Sequence, residues 1–421
     1  LNRVIQEDIR PGVTIVAENL PNFYSFSLGI FIKQGSRDEL SEENGITHLI
    51  EHMLFKGTSR RSSLEIVKLI EGLGGSFDAF TTKENLVIVT KFLSEHIVRV
   101  FDLILEVLLD SKVDENDLNK EKLVVLEEIK SDNDDPSDCV FDLLFRTLYP
   151  EHPMGLPIAG TTESVQKIDA QKAKNHYHQL LQRKIVIAIS GNFDYPGVFN
   201  LAQKRFSYHN LIENIRESPD SKRERIKVQK KSEVSQVHIT FGIPAVPYSS
   251  PLRHPLLALN TSFGGGMSSR LFQGLREKEG LVYDVHSFID LYVDCGLFGF
   301  YFTCDKSNLK NVAQELKNIF RTLHTNGFAN EEIDIAKTYI TGNLLLSLEG
   351  STNRMLRLGR EILYLHKVTS VDEVVNKIKS VSADNVNELI PNYLDPMAYS
   401  IAAVGPVTED EIGDFFNSIK V

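Results

Sequence analysis

The chain has 421 residues, of which 42% are hydrophobic and 24% charged, enough apolar material for sizeable cores in two or three domains; a disordered chain is excluded. Its longest apolar runs, such as 23–32 and 100–109, are broken by polar residues and fall well short of the roughly 20 residues that a membrane-spanning helix needs. With 57 acidic against 46 basic residues the formal charge is −11, a balance that disfavours nucleic acid and admits a basic peptide partner.

Leu1-Asn2-Arg3 shows no export signal, so a cytoplasmic location is expected, with a mature organellar matrix protein as the alternative. Next in order, residues 13–17 and 23–33 alternate like strands around the turn Asn19-Leu20-Pro21-Asn22, and 45–56 carries a helical pattern stopped by Gly57. A second helix over 62–73 ends at Gly74-Gly75, and 76–93 reads as one or two strands. Helices over 95–111, 115–131 and 138–148 follow, and a strand near 184–191 closes this half. Three cysteines, Cys139, Cys295 and Cys304, in odd number and without C-x-x-C spacing, read as buried reduced thiols rather than a disulfide framework or thiolate cluster.

The same order recurs in the second half. Residues 234–244 answer 23–33, 254–264 take the place of 45–57, and 269–276 that of the second helix. Segment 326–333 parallels 112–118, Ser370-Val371 parallels Ser164-Val165, and Val404-Gly405 parallels Ser190-Gly191, at offsets near 206 to 216. A stretch dense in Lys, Arg and Glu over 213–233, with Pro219, reads as a solvated linker. The expectation is an α+β fold of two related domains, 1–212 and 234–421, each a mostly antiparallel sheet packed with helices.

The strongest chemistry lies in His48-Leu49-Ile50-Glu51-His52. Imidazoles at i and i+4 leave one face of a helix at about the separation that one zinc ion needs, and Glu51 lies close enough to that face to reach a metal-bound water. This is the inverted H-x-x-E-H arrangement, whose third ligand comes from elsewhere. Against it stands a pair of surface or core histidines on an amphipathic helix. Helix 115–131 offers the third ligand: Glu121 and Glu128 lie two turns apart on one face, around the apolar Leu123-Val124-Val125-Leu126. A carboxylate at the rim of a buried face is costly without a partner, and zinc would supply one for Glu128. A solvated glutamate pair is the plainer alternative.

These residues resemble the pitrilysin/insulinase family of zinc peptidases, in particular its mitochondrial-processing-peptidase-like branch. The likeness runs through Gly35-Ser36-Arg37-Asp38-Glu39, Gly45-Ile46-Thr47, Phe55-Lys56-Gly57-Thr58, Gly74-Gly75-Ser76-Phe77-Asp78-Ala79 and Asp134-Asp135-Pro136 to Ser269-Arg270-Leu271-Phe272. The resemblance implies that His48, His52 and Glu128 are the zinc ligands, Glu51 the general base and Glu121 a supporting acid. The counterpart of Glu128 falls near Leu344, and the second half holds no H-x-x-E-H, which implies one zinc per chain. A position left open for water lets zinc bring that water's pKa toward ~7, and Glu51 can take its proton during attack on a peptide carbonyl.

By the same resemblance Gly75, Ser76, Phe77, Asp78 and Ala79 form a sheet edge that pairs with an extended substrate, although on sequence alone this is an ordinary strand. Arg276 and Tyr283, which follow Gly264-Gly265-Gly266, look like a pair that binds substrate backbone and the tetrahedral oxyanion. No G-K-[ST] follows the glycines, so nucleotide binding is rejected. Asp138 and Asp142, i and i+4 on one helix, match positions that read an arginine near the cleavage site, against the alternative of a solvated acidic face. Chains of this length resemble half of a clamshell around a chamber that admits only unfolded segments, so a homodimer, or a heterodimer with a related chain, is expected. The competing expectations are a non-catalytic scaffold subunit and a zinc-stabilised peptide-binding protein.

Overall fold

The computed structural model describes residues 4–219 and 222–420; the start at Leu1-Asn2-Arg3 lies outside the described residues. Period-2 alternation suits strands covered on one face, and near-continuous apolar runs suit those covered on both. The first sheet contains β1 (Val4–Arg10), β2 (Val13–Asn19), β3 (Ser25–Ile32), β4 (Ser76–Thr81), β5 (Leu86–Leu93) and β6 (Ile185–Gly191), in the order β1-β2-β6-β3-β5-β4. The second contains β7 (Ile226–Lys230), β8 (Val237–Ala245), β9 (Asp284–Leu291), β10 (Gly296–Cys304) and β11 (Ser400–Gly405), in the order β7-β11-β8-β10-β9. Apart from the extra edge strand β1, the orders match strand for strand. Each sheet holds one parallel pair, β2 with β6 and β7 with β11, among antiparallel neighbours. An α+β fold with an internal duplication is therefore established.

The helices that matter most are α1 (Ile46–Leu54), α2 (Ser63–Gly72), α3 (Ile97–Leu109), α4 (Glu115–Asp134), α5 (Pro136–Leu148), α6 (Thr162–Lys167), α7 (Ala170–Leu180), α8 (Tyr195–Arg205), α9 (Arg253–Phe263), α10 (Leu309–Asn326), α11 (Asn330–Ser347), α12 (Ser351–Leu365) and α13 (Val371–Lys379). On β6, Ile185, Ile187 and Ile189 face a core with Leu49, Ile50 and Met53 of α1, whereas Val186 and Ala188 face Met355, Leu358 and Ile362 of α12. The second sheet is covered in the same manner. Phe241, Phe300 and Phe302 meet Phe263 of α9 and Phe320 of α10, and Ala402 and Val404 meet Val140, Leu144 and Leu148 of α5.

The division into units departs from the expected one at 213–233. One compact unit comprises Leu1–Lys130, Leu156–Glu217 and Leu346–Val368; the other comprises Ser131–Gly155, Ser218–Leu345 and Thr369–Val421. Each sheet thus has one face closed by a helix whose sequence lies in the other half, α12 in the first unit and α5 in the second. A glycine in each central strand makes room: a Cβ on Gly242 would meet Leu144 and Leu148 at 2.9 Å, and one on Gly29 would overlap Met355.

Other expectations are corrected in detail. The polar stretch 213–233 is largely exposed, as expected of a solvated linker, but parts of it are built into the structure. The Arg216 side chain, 6% exposed, bonds to both Asp38 oxygens at 2.8 and 2.7 Å and to Glu84 at 3.2 Å, and Ile226–Lys230 enters the second sheet as β7. The expected helix over 269–276 is present from 270, but from Phe272 to Lys278 it winds as a wider, π-type turn. Cys139 and Cys304 are buried, but Cys295 is only partly so. Among the described residues no helix is long and apolar enough to cross a membrane.

Candidate metal centre

α1 is anchored by its apolar face. Ile46, Leu49, Ile50, Met53 and Leu54 are fully buried, which leaves His48, Glu51 and His52 half-buried on the opposite side. α4 meets this side with Leu118, Glu121, Val125 and Ile129 buried along one stripe and with Glu128 beside it, 44% of its side chain exposed. One donor atom from each of His48, His52 and Glu128 lies within 4.8 Å of the others. Nε2 of His48 is 3.8 Å, and Nε2 of His52 is 3.5 Å, from Oε2 of Glu128. Tetrahedral zinc with bonds of about 2.1 Å would hold its donors about 3.4 Å apart, so the two histidine–glutamate distances suit such an ion, and the set as a whole needs only side-chain movement to close on it.

The surroundings separate the two histidines. Nδ1 of His52 faces Oε2 of Glu121 at 3.3 Å, and the other Glu121 oxygen is held by Nζ of Lys56 at 2.7 Å. An Nδ1–H donated to Glu121 leaves the Nε2 lone pair turned toward Glu128. Nδ1 of His48 is buried without a hydrogen-bond partner. Burial, reinforced by His52, pushes the His48 imidazolium down to about 4, so this ring is neutral at physiological pH and no proton competes for its lone pair. Two histidines beside a carboxylate form a donor set suited to a borderline divalent cation such as zinc.

Glu51 leaves the same helix and accepts a hydrogen bond from the Thr81 hydroxyl at 2.6 Å. Burial pushes its carboxyl up, joined by Asp78 and Glu128, while Thr81 and His52 pull it down. The sequence places Thr81 on a strand and names no partner for its hydroxyl. The alternation of β4, with Phe77, Ala79 and Thr81 turned inward and Ser76, Asp78 and Phe80 outward, was the signal for its direction. Gly75 immediately precedes this strand, and Phe77 packs edge-on against Phe55 with ring centres 4.4 Å apart. Among the described residues β4 pairs only with β5 and forms one edge of its sheet.

The remaining expected residues belong to the second unit. Arg276 lies on the π-type turn with its guanidinium 5.1 Å from the Phe272 ring centre and 5.8 Å from that of Tyr283, which is 73% exposed. Asp138 and Asp142 lie on α5, the first exposed and the second half-buried. Partial burial, with Asp135 and Asp132 nearby, holds the Asp138 carboxyl above its ordinary value.

Comparison with known proteins gives this geometry a context. A family model described as insulinase (peptidase family M16) matches residues 14–162, and one described as peptidase M16 inactive domain matches 167–340. The chain is 35% identical to the uncharacterized zinc protease YmxG of Bacillus subtilis, covering 94% of this chain and 96% of that protein. It is 32% identical to an uncharacterized zinc protease of Streptomyces coelicolor, over 97% of this chain and 91% of the other. The fold is shared with a peptidase M16 inactive domain from Pseudomonas fluorescens, at a TM-score of 0.88 and 20% identity, over 96% of this chain and 99% of that one. A chain of complex III2 from Candida albicans also shares it, at 0.85 and 20% identity, with both chains covered in full. Such similarity to zinc proteases along nearly the whole sequence makes this chain a member of the insulinase family of peptidases, M16.

Proposed function

We propose that the chain is a zinc endopeptidase for peptides or unfolded presequence-like segments, with His48, His52 and Glu128 as ligands of one ion per chain. The convergence of these three donors within 4.8 Å carries the reading, and the carboxylate of Glu51 on the same helix extends it to catalysis. Zinc held there supplies a Lewis acid that polarises the peptide carbonyl and acidifies water. Glu51 takes the proton from the attacking water and passes it to the leaving amine. Its burial favours holding that proton between the two transfers, and the Thr81 hydroxyl fixes one of its oxygens. Glu121 orients His52 and is itself steadied by Lys56.

The open edge of β4, from Gly75 through Ala79, is the proposed backbone-pairing surface, suited to substrates of varied sequence. Arg276 and Tyr283 are assigned to substrate backbone and oxyanion in the same chain or across a dimer, and Asp138 with Asp142 to a basic substrate side chain. Occurrence of this fold in a chain of complex III2 supports an assembled state, here a homodimer or a heterodimer with a related chain around a chamber. The bacterial relatives support a bacterial cytoplasm as the location.

The test uses a quenched-fluorescent peptide library with wild type, Glu51→Gln and a chelated sample. Cleavage is expected to need zinc and to fall by about 10³-fold or more in Glu51→Gln with metal content unchanged. Zinc-loaded wild type without cleavage, alone and with a related chain, would refute the peptidase reading. Equal cleavage of matched Arg and Ala peptides would refute the role of Asp138 and Asp142.

A further inference from the structure

The segment Gly35-Ser36-Arg37-Asp38-Glu39 has no part in the chemistry above, yet it ends at the start of the metal helix. Glu39 is 5% exposed. Its Oε2 accepts hydrogen bonds from Asn44 Nδ2 at 3.0 Å and from the Gly45 N–H at 2.7 Å, and its Oε1 accepts from the Thr47 N–H at 2.8 Å. Gly45 is the N-cap residue of α1, with φ +92°, and offers no capping side chain. A larger residue is excluded there, because a Cβ would lie 2.5 Å from the Ala159 carbonyl oxygen. The N–H groups of Gly45 and Thr47 at the helix start therefore find their acceptor six and eight residues upstream.

Other groups hold this acceptor in place. Asn44 also donates to the Pro157 carbonyl at 3.0 Å, and its own carbonyl accepts from Ser164 Oγ at 2.7 Å. The Thr47 hydroxyl bonds to Glu39 and lies 3.0 Å from Nε2 of His176. Burial pushes the Glu39 carboxyl up to about 7 against these bonds, so the group is costly where it stands. α1 begins at Ile46, which puts His48 third in the helix, inside the turn that frays first, whereas His52 lies a turn deeper.

We propose that Glu39 is a positioning residue of the metal centre: it caps α1 so that His48 is held in helical geometry, converging with His52 on Glu128. This rests on the reading of His48, His52 and Glu128 as a zinc site. In competition with a chromogenic chelator, zinc affinity is expected to fall about ten- to a hundred-fold in Glu39→Gln. Amide exchange of the metal-free protein should rise over residues 46–49 and not over 50–54. Glu106→Gln is the control, a carboxylate 2% exposed in the same unit that bonds to Thr58 and Arg61, and it should leave zinc affinity unchanged. If Glu39→Gln does not fold, Asn44→Ala removes one of the same bonds, with a loss of about three-fold expected. Wild-type affinity and exchange in whichever of these variants folds, or an equal loss in Glu106→Gln, would overturn the capping role. Failure of wild type to bind zinc would instead overturn the metal reading beneath it.

Discussion

The two units share a strand order and a pattern of packing, and differ in what their equivalent helices carry. In the first, α1 presents His48, Glu51 and His52 to Glu128 of α4. In the second, α9 occupies the place of α1 with Arg253–Phe263 and contains no H-x-x-E-H, and α11 carries Leu344 near the counterpart of Glu128. α9 also starts without a side-chain cap. Behind it lies an aromatic core in which Phe241 and Phe300 stack with centres 4.3 Å apart and Phe263 meets Phe300 edge-on at 5.6 Å. Among the described residues, one backbone plan thus supports a cluster of metal-binding donors on these helices in one unit and none on their equivalents in the other, because the chemistry depends on a few side chains placed on a fold that does not itself require them.

The sharpest way to break this contrast is to give the first unit the second one's residue. Glu128→Leu should lower zinc affinity about a thousand-fold, on the order of a third of the ~10–16 kcal/mol with which proteins hold structural zinc. The reverse change, Leu344→Glu, adds a carboxylate where α9 offers no paired imidazoles, so a metal titration should still end at one zinc per chain. Glu121→Gln comes next. It keeps the shape beside His52 Nδ1 but weakens the charged acceptor 3.3 Å away, with a loss of about ten- to a hundred-fold in metal affinity expected in the same titration. Smaller again is Thr81→Val, which leaves Glu51 without its 2.6 Å hydrogen bond. A fall in kcat of about ten-fold with KM little changed is expected, with Thr81→Ser restoring it.

Much of this contrast was legible in the sequence because it depends on local period. The i, i+4 histidines and the seven-residue spacing of Glu121 and Glu128 put their side chains on defined helix faces, and α1 and α4 obey that geometry. Partners distant in sequence were less legible. α5 has an apolar face that suits a sheet, but nothing local says that β8 and β11 receive it. Charge density over 213–233 pointed to solvent, yet Arg216 finds Asp38 and Glu84, far upstream. β1 escaped notice because it is a largely exposed edge strand with few apolar residues. Thr81 could be assigned a face by alternation, but the acceptor of its hydroxyl belongs to another element.

The support of α1 gives the last test, one that reads stability without metal. Glu39 and His176, 5% and 7% exposed, meet through the Thr47 hydroxyl and are shifted in opposite directions by the same burial. Glu39 is raised from 4.5 to about 7, so its favourable contribution is full below pH 4.5 and is lost as the pH rises through 7. His176 is lowered from 6.5 to about 4, chiefly by burial and further by Arg183, with Asp38 opposing; its contribution is full above pH 6.5 and is lost as the pH falls through 4. Each shift corresponds to about 3 kcal/mol of pH-dependent stability, and between pH 4.5 and 6.5 the two slopes cancel. Replacing one partner should expose the other. Relative to wild type, Glu39→Gln should gain stability as the pH rises across this window, and His176→Gln should lose it, both measured by urea unfolding of the chelated protein. Parallel profiles for both variants and wild type would mean that neither group changes its protonation affinity on folding, and that the buried chain from Glu39 through Thr47 to His176 holds the helix by shape alone.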